Sequence, residues 1–203
     1  MKPRTAQDEN YLKVIWGAEE WSRPATVGSI AAALSLAPSS VSEAVRKLAE
    51  SGLVQHAPYG AVALTDAGRS VAVAVVRKHR LIETFLVEEL GYAWDEVHEE
   101  AEVLEHAVSE RFIDAIEDRL GHPELDPHGD PIPRRDGTLP GSGAVTIDRA
   151  PADAEVRIVR VSDAVPGLLK RLGDRGLGLG SVVVAGSVQL APEEAAGVLV
   201  EAT

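Results

Sequence analysis

Residues 27–52, VGSIAAALSLAPSSVSEAVRKLAESG, have the pattern of two short helices joined by a tight turn. Apolar residues recur at helical spacing over residues 27–35 and again over residues 38–51. Pro38 suits the first turn of the second helix, and Gly52 suits its end. The stretch therefore predicts a helix-turn-helix, an arrangement typical of DNA-binding proteins.

Two short apolar runs follow directly and predict a β-hairpin. Residues 53–57 and 61–65 read as strands, and residues 58–60, Pro-Tyr-Gly, read as the turn between them. A hairpin after a helix-turn-helix is the wing of a winged-helix DNA-binding domain, which we expect over residues 1–75. The alternative is a purely structural role, in which the helical hairpin serves only for packing.

The second helix of the pair is the expected recognition helix. Val41, Val45 and Leu48 form its inward stripe, so its polar residues face outward. Glu43 is unusual on a surface that meets phosphates: it could accept from a cytosine amino group, or repel phosphate and so confer selectivity. The predicted DNA contacts are Ser39, Ser40, Ser42, Glu43, Arg46, Lys47 and the wing residue Tyr59.

Helices are predicted on both sides of this domain. One covers residues 7–21, a long one covers residues 66–90, and another covers about residues 95–119. The last has more apolar positions than packing of two helices needs, which predicts a subunit interface and a homodimer. A two-fold dimer would read a palindromic operator in double-stranded DNA.

Acidic and histidine side chains are concentrated in the middle of the chain. The net charge is −12 overall, but it is 0 over residues 1–75, −10 over residues 76–140 and −2 over residues 141–203. At helical spacing, His79 stands with Glu83 and His98 with Glu102. Like charges stacked on a helix repel, and a divalent cation between them would reverse the sign of that interaction. The alternative is a solvated acidic face.

The absence of cysteine and of long apolar segments further narrows the classes of protein to which the chain can belong. It has no cysteine, which excludes disulfides, thiolate metal sites and a cysteine nucleophile. Neither a signal peptide nor an apolar run long enough for a membrane is evident, so a cytoplasmic protein without membrane contact is expected.

The C-terminal part changes to short β-type runs. Residues 121–143 form a linker rich in Pro, Gly and Asp, and residues 144–203 carry five short runs of strand type with one short helix over residues 165–174. The expected fold is mainly α with small β: an N-terminal winged helix-turn-helix, a helical metal-binding and dimerisation domain over residues 76–140, and a C-terminal small β-barrel over residues 144–203.

Taken together, the winged helix, the segments HRLIETFL and VLEHAVS, and DPHGDPIP before the C-terminal domain resemble the DtxR/MntR family of metal-dependent transcriptional repressors. The resemblance covers essentially the whole chain and is greatest to manganese regulators of actinobacteria. It implies that the C-terminal domain is an SH3-like (FeoA-like) barrel and that the protein is not an enzyme. It also implies a Mn(II)-activated repressor of metal-homeostasis genes, with Fe(II), Co(II), Zn(II) or Cd(II) as substitutes.

The resemblance implies a primary metal site made of Asn10, Glu102, Glu105 and His106. Iron-responsive members have Met and Cys where this chain has Asn10 and Glu102, whereas manganese-responsive members have Asp and Glu. Glu102 therefore favours manganese, while Asn10 departs from both patterns and should weaken the site. Lys13 stands where some members that bind two manganese ions have Glu, which argues against a closely bridged pair there.

Two arrangements remain open for a secondary site. One uses His79, Glu83 and His98. The other combines Glu83 with Asp126, His128 and Asp163, and family members often have Cys where Asp126 stands.

Three other functions compete with a manganese repressor. An iron-dependent repressor would have the same architecture. A metal-dependent hydrolase could use a His/Glu cluster to activate water, although no nucleophile or phosphate cradle accompanies this one. A metal-independent winged-helix factor would bind DNA even in the presence of a chelator.

Overall fold

The computed structural model describes residues 5–57, 60–139 and 143–203. Contacts divide the chain into two compact units. The first contains the chain up to Lys78 together with Pro133–Thr138, and the second contains His79–Ile132 and Leu139–Thr203. Among the described residues, no helix has both the length and the apolar character needed to cross a membrane.

The first unit is the winged helix that the sequence predicts. Its elements are α1 (Ala6–Glu20), α2 (Val27–Ala33), α3 (Pro38–Glu50), β1 (Val54–His56), β2 (Val62–Leu64) and the start of α4 (Asp66–Leu90). β1 and β2 pair antiparallel, with Val54 opposite Leu64. The predicted wing contact Tyr59 lies outside the described residues.

Local signals in the sequence explain where these helices begin. Thr5 and Asp8 form a capping box at the start of α1, and Thr26 and Ser29 form one at α2. Gly68 in α4 permits a close approach to the wing, because a Cβ atom there would lie 1.9 Å from the carbonyl oxygen of Leu53. α3 has no side-chain cap, but its buried stripe of Val41, Val45 and Leu48 packs into the core of this unit and leaves the polar face outward.

The helical part of the second unit differs from the prediction in one respect. Instead of one helix over about residues 95–119, there are two, α5 (Val97–Leu104) and α6 (Glu110–Leu120). Ser109 causes the break, since its side chain accepts a hydrogen bond from the backbone N–H of Phe112 and caps α6. Val97, Ala101, Ile113 and others pack with α4, while Val103 and Phe112 remain exposed.

The C-terminal part of the second unit is a small antiparallel sheet. Its elements are β3 (Val145–Thr146), β4 (Glu155–Val161), α7 (Leu168–Gly173), β5 (Val182–Val184), α8 (Pro192–Ala195) and β6 (Val198–Ala202). The strand order is β3-β6-β4-β5, so four of the five predicted strands form the sheet. The fifth, residues 187–190, does not, because a 3-10 turn over Ala185–Ser187 leads the chain away from the sheet. β4 has an irregularity between Ile158 and Arg160.

Candidate metal centre

Glu83 lies at the middle of a cluster of imidazoles and carboxylates in the second unit. It is on α4 and is only 1% exposed. Its Oε1 atom lies 2.9 Å from Nε2 of His79, one helical turn earlier, and 3.4 Å from Nδ1 of His98. Its Oε2 atom lies 3.7 Å from Nδ1 of His128. One carboxylate therefore faces three imidazoles from three different segments.

Two groups of potential ligands share this carboxylate. The first is His79, Glu83, His98 and Asp163, and the second is Glu83, Asp126 and His128. Within each group, one ligand atom per residue lies within 4.8 Å of the others. Glu83 is common to both groups, as in the two arrangements that the sequence left open for a secondary site. Asp163, however, lies with His79 and His98 and not with Asp126 and His128.

A short loop carries Asp126 and His128 into the cluster. Oδ1 of Asp126 accepts hydrogen bonds from the backbone N–H groups of His128 and Asp130, at 2.8 and 2.9 Å. Gly129 has a φ of +81°, and a Cβ atom there would lie 2.1 Å from the carbonyl oxygen of Val159. That carbonyl belongs to the irregular part of β4, so only glycine allows the loop to approach the strand this closely.

Two arginines fasten the same loop to its neighbours. The guanidinium of Arg80, on α4, lies 3.0 Å from Oδ1 of Asp130 and donates to the carbonyl oxygen of Pro131 at 2.6 Å. Arg160, on β4, donates to the same Oδ1 of Asp130. This arrangement of the two arginines was not predicted from the sequence. Arg80, directly after His79, was the one local sign of this arrangement in the sequence, because Arg160 lies far along the chain.

Hydrogen bonding also fixes the orientation of the His128 ring. Its Nε2–H donates to the carbonyl oxygen of Trp94 at 2.6 Å, so Nδ1 is the atom that faces Glu83. A hydrogen bond from the far side of the ring is how proteins select the tautomer and angle of a histidine ligand. His128 is fully buried, so this orientation is held by packing as well.

The electrostatics of the cluster show positive charge concentrated where an ion would lie. Burial lowers the pKa of His98, but Asp163 and Glu83 overcome it and raise that pKa to about 10. Burial also lowers the pKa of His128, but Glu83, Asp126 and Asp163 overcome this effect and raise that pKa to about 10. Burial would raise the pKa of Glu83, yet the neighbouring imidazoles hold it well below its ordinary value. Two imidazolium groups thus neutralise the buried carboxylates in this state.

The carboxylates differ in how they are held. Burial, with Asp130 and Glu83 nearby, raises the pKa of Asp126 well above its ordinary value. Asp163 is close to His98, with Oδ2 2.8 Å from Nδ1, and this contact lowers its pKa despite burial.

The donor set fits a divalent metal ion. Both oxygens of Glu83 and Nδ1 of His128 are buried, and none has a hydrogen-bond partner among the described residues. Buried polar atoms without partners are rare and point to an ion or water that completes them. A mixture of imidazole nitrogens and carboxylate oxygens is a ligand set for a transition metal of the harder type.

The predicted primary ligands are arranged differently. Among the described residues, Glu102, Glu105 and His106 do not converge as a third group of this kind. Glu105 is buried and accepts a hydrogen bond from Nδ1–H of His79 at 2.6 Å, while its Oε1 lies 3.2 Å from Nε2 of His106. Glu102 is partly exposed, with Oε1 3.6 Å from Nε2 of His98. Asn10 belongs to the first unit, partly buried on α1.

The polar face of α3 carries the predicted DNA contacts. Ser39, Ser40 and Ser42 are exposed, as are Glu43, Arg46 and Lys47. Glu43 is engaged by two cations of its own helix: its Oε1 lies 2.9 Å from Nζ of Lys47 and 3.9 Å from the guanidinium of Arg46. Lys47 lowers the pKa of Glu43, so this carboxylate is ionised at neutral pH.

Two family models match the chain. Residues 4–62 match the N-terminal DNA-binding domain of iron-dependent repressors, and residues 65–134 match their metal-binding and dimerisation domain. Among curated proteins, the chain is 35% identical over 181 residues to the iron-dependent repressor IdeR of Mycobacterium tuberculosis, a match that covers 83% of this chain and 79% of that protein. It is 32% identical over 172 residues to the diphtheria toxin repressor of Corynebacterium diphtheriae, covering 80% and 75%.

Solved structures are similar over almost the full length. A manganese-dependent transcriptional repressor in complex with manganese is 44% identical, with a TM-score of 0.89 over 97% of this chain and 100% of that one. The manganese regulator SloR is 31% identical, with a TM-score of 0.83 over the whole of both chains. With the winged helix and the buried His/carboxylate cluster, these matches show that the chain belongs to the DtxR/MntR family of metal-dependent transcriptional repressors.

Proposed function

We propose that this protein is a homodimeric repressor that Mn(II) activates and that controls genes of metal homeostasis through a palindromic operator. The observation that carries the metal assignment is the composition of the ligand groups around Glu83. They contain three imidazoles and three carboxylates with no sulfur donor, and the chain has no cysteine to supply one. Carboxylate-rich sites without thiolates favour Mn(II) over softer ions.

A bound divalent ion supplies positive charge that the buried carboxylates otherwise obtain from protons. Glu83 contributes a carboxylate to both ligand groups, and His128 presents Nδ1 because Trp94 holds its other nitrogen. His98 and His128 have to lose a proton before either can donate a lone pair. The residues of α4, the loop at 126–130 and Asp163 are then tied by one centre.

The predicted set of Asn10, Glu102, Glu105 and His106 remains part of the proposal as a second centre. Glu105 already contacts His79 of the Glu83 centre, so occupancy of the two centres would be linked through that hydrogen bond. When one conformation binds both the ion and DNA more tightly than the other, the affinity for DNA depends on whether the metal is bound.

Exposed apolar side chains support the homodimer. Val103 on α5 is 69% exposed and Phe112 on α6 is 46% exposed, on a segment that matches the metal-binding and dimerisation domain. Exposed apolar side chains that form one contiguous patch mark an interaction surface, and the matching family domain assigns dimerisation to this segment.

The deciding experiment is recovery of genomic DNA fragments by the purified protein, at fixed salt, first with Mn(II) and then with a chelator. We expect a few palindrome-bearing fragments with Mn(II) only. Glu83→Gln should lose this metal dependence, whereas Glu88→Gln, an exposed carboxylate on the same helix, should retain it. Equal recovery with ion and chelator would support a metal-independent factor, and steady turnover of a phosphate ester would support a hydrolase.

Iron is the second candidate metal, because the curated relatives named above are iron-dependent repressors. The two metals can be distinguished by measuring DNA binding at increasing concentrations of Mn(II) and, in the absence of oxygen, of Fe(II). Half-maximal binding at a lower free concentration of Fe(II) would overturn the manganese assignment and leave the family assignment intact.

A further inference from the structure

An open cavity of about 350 Å³ lies beside the Glu83 centre, within the second unit. His98 and Asp163, which belong to one of the ligand groups, form part of its wall. The side chain of His98 is 38% exposed and that of Asp163 is 23% exposed, whereas Glu83 and His128 behind them are almost fully buried. The cluster therefore meets solvent at this cavity through His98 and Asp163.

The atoms behind that wall still need a ligand. Both oxygens of Glu83 lack a hydrogen-bond partner among the described residues, and Oε1 lies only 3.4 Å from Nδ1 of His98. Nδ1 of His98 lies 3.4 Å from Oε1 of Glu83 and 2.8 Å from Oδ2 of Asp163, so polar groups connect the wall of the cavity with the Glu83 carboxylate.

The mouth of the cavity is acidic. Asp95, Glu96 and Glu99, at the start of α5, are exposed and line it, and Lys170 on α7 is the cation opposite. The Lys170 ammonium is 3.7 Å from Asp174, but both side chains are about two-thirds exposed, so water screens this pair. Clefts lined by one sign of charge concentrate counter-ions and raise association rates.

We propose that this cavity is the entry route of the metal ion to the Glu83 centre, with Asp95, Glu96 and Glu99 attracting the cation and Lys170 opposing it. The inference rests on the proposed metal-dependent function and adds a kinetic role for residues that are not ligands. It predicts that the charge at the mouth sets how fast the ion binds, beyond the identity of the ligands.

The test is stopped-flow absorbance with Co(II) as the probe. All proteins carry His106→Ala, so that the predicted primary site does not contribute. In low salt, Glu99→Gln should lower the association rate constant about threefold, and Lys170→Gln should raise it by about the same factor. Both differences should shrink in high salt, because salt screens exposed charges. Glu201→Gln, an exposed carboxylate on β6 away from the cavity, should leave the rate unchanged.

Opposite changes in the two variants exclude a folding defect as the cause, since damage to the fold would not accelerate binding. Equal rates in all variants, or a decrease in Glu201→Gln equal to that in Glu99→Gln, would overturn the entry route while leaving the centre in place. Failure of all these proteins to bind Co(II), together with DNA binding that ignores Mn(II), would instead refute the proposed function.

Discussion

The imidazole of His79 joins the two sets of predicted ligands, because its Nδ1–H donates to Oε2 of Glu105 at 2.6 Å while its Nε2 lies 2.9 Å from Glu83. Glu105 belongs to the predicted primary set and Glu83 to the secondary one. A change at either set is therefore transmitted through one buried ring.

This contact predicts coupling between the sets. In a double-mutant cycle on Mn(II) affinity, His79→Gln and Glu105→Gln together should weaken binding by less than the sum of the single effects, with a coupling energy of about 1–3 kcal/mol. Isothermal titration measures it. The pair His79→Gln and Glu110→Gln is the control, since Glu110 is exposed at the start of α6 and should give additive effects. Additivity in both pairs would contradict the coupling.

Metal binding should release protons. At pH 7, His98 and His128, with pKa values of about 10, each carry a proton that an ion has to displace, so about one proton should leave when the ligand group of each histidine is filled. Titration calorimetry in buffers of different ionisation enthalpy counts them, and His128→Gln should reduce the count by about one. Affinity should therefore rise as the pH increases towards 10. Release of no protons would contradict these pKa values.

The same raised pKa values affect the stability of the metal-free protein. A histidine whose pKa is higher in the folded state stabilises it fully below the ordinary value of 6.5, and this contribution is lost as the pH rises through about 10. The free energy of unfolding without metal should thus fall between pH 7 and pH 10, and saturating Mn(II) should oppose the fall. Urea denaturation at several pH values, with and without the ion, measures both effects.

Gly129→Ala should damage both stability and metal binding. The new Cβ atom would meet the carbonyl of Val159 and adopt a positive φ, so we expect a loss of at least about 3 kcal/mol in the free energy of unfolding. Gly91→Ala is the matched control: its φ is +74° but nothing lies within 4 Å, and it should cost only about 1–2 kcal/mol. Urea denaturation compares them, and equal losses would show that the contact with β4 is not limiting.

Glu43→Gln should make DNA binding less selective. The change removes a negative charge from the polar face of α3 and releases Lys47 and Arg46 from it. Affinity for random-sequence DNA should rise severalfold at low salt, with a steeper salt dependence. Fluorescence anisotropy measures both quantities, with Asp153→Asn, an exposed carboxylate of the second unit, as control. Loss of affinity for the operator with no change on random DNA would instead indicate that Glu43 contacts a base.

Local sequence patterns predicted most of the fold. The bounds predicted for α4, residues 66–90, agree with the structure because Gly91 ends the helix in a left-handed conformation. The break between α5 and α6 was missed because the apolar spacing continues through it. The capping residue Ser109 was the available signal.

The candidate metal centre was harder to predict because its parts are distant in sequence. Spacing on a helix identified His79 with Glu83, but it gave no means of choosing between His98 and the set of Asp126, His128 and Asp163. The structure unites them because the backbone of the 126–130 loop bonds to β4, where the N–H of Val161 donates to the carbonyl oxygen of His128. Contacts of this kind depend on tertiary packing and leave no periodic pattern in a single sequence.

Regulators that bind metal through thiolates lose those ligands when hydrogen peroxide oxidises the sulfur. Neither ligand group around Glu83 contains sulfur, the chain has no cysteine, and its single methionine is Met1. Peroxide therefore has no sulfur to attack in this centre. Oxidation of cellular thiols would leave the donor atoms of this candidate centre unchanged, and the response to metal supply would stay separate from the redox state of those thiols.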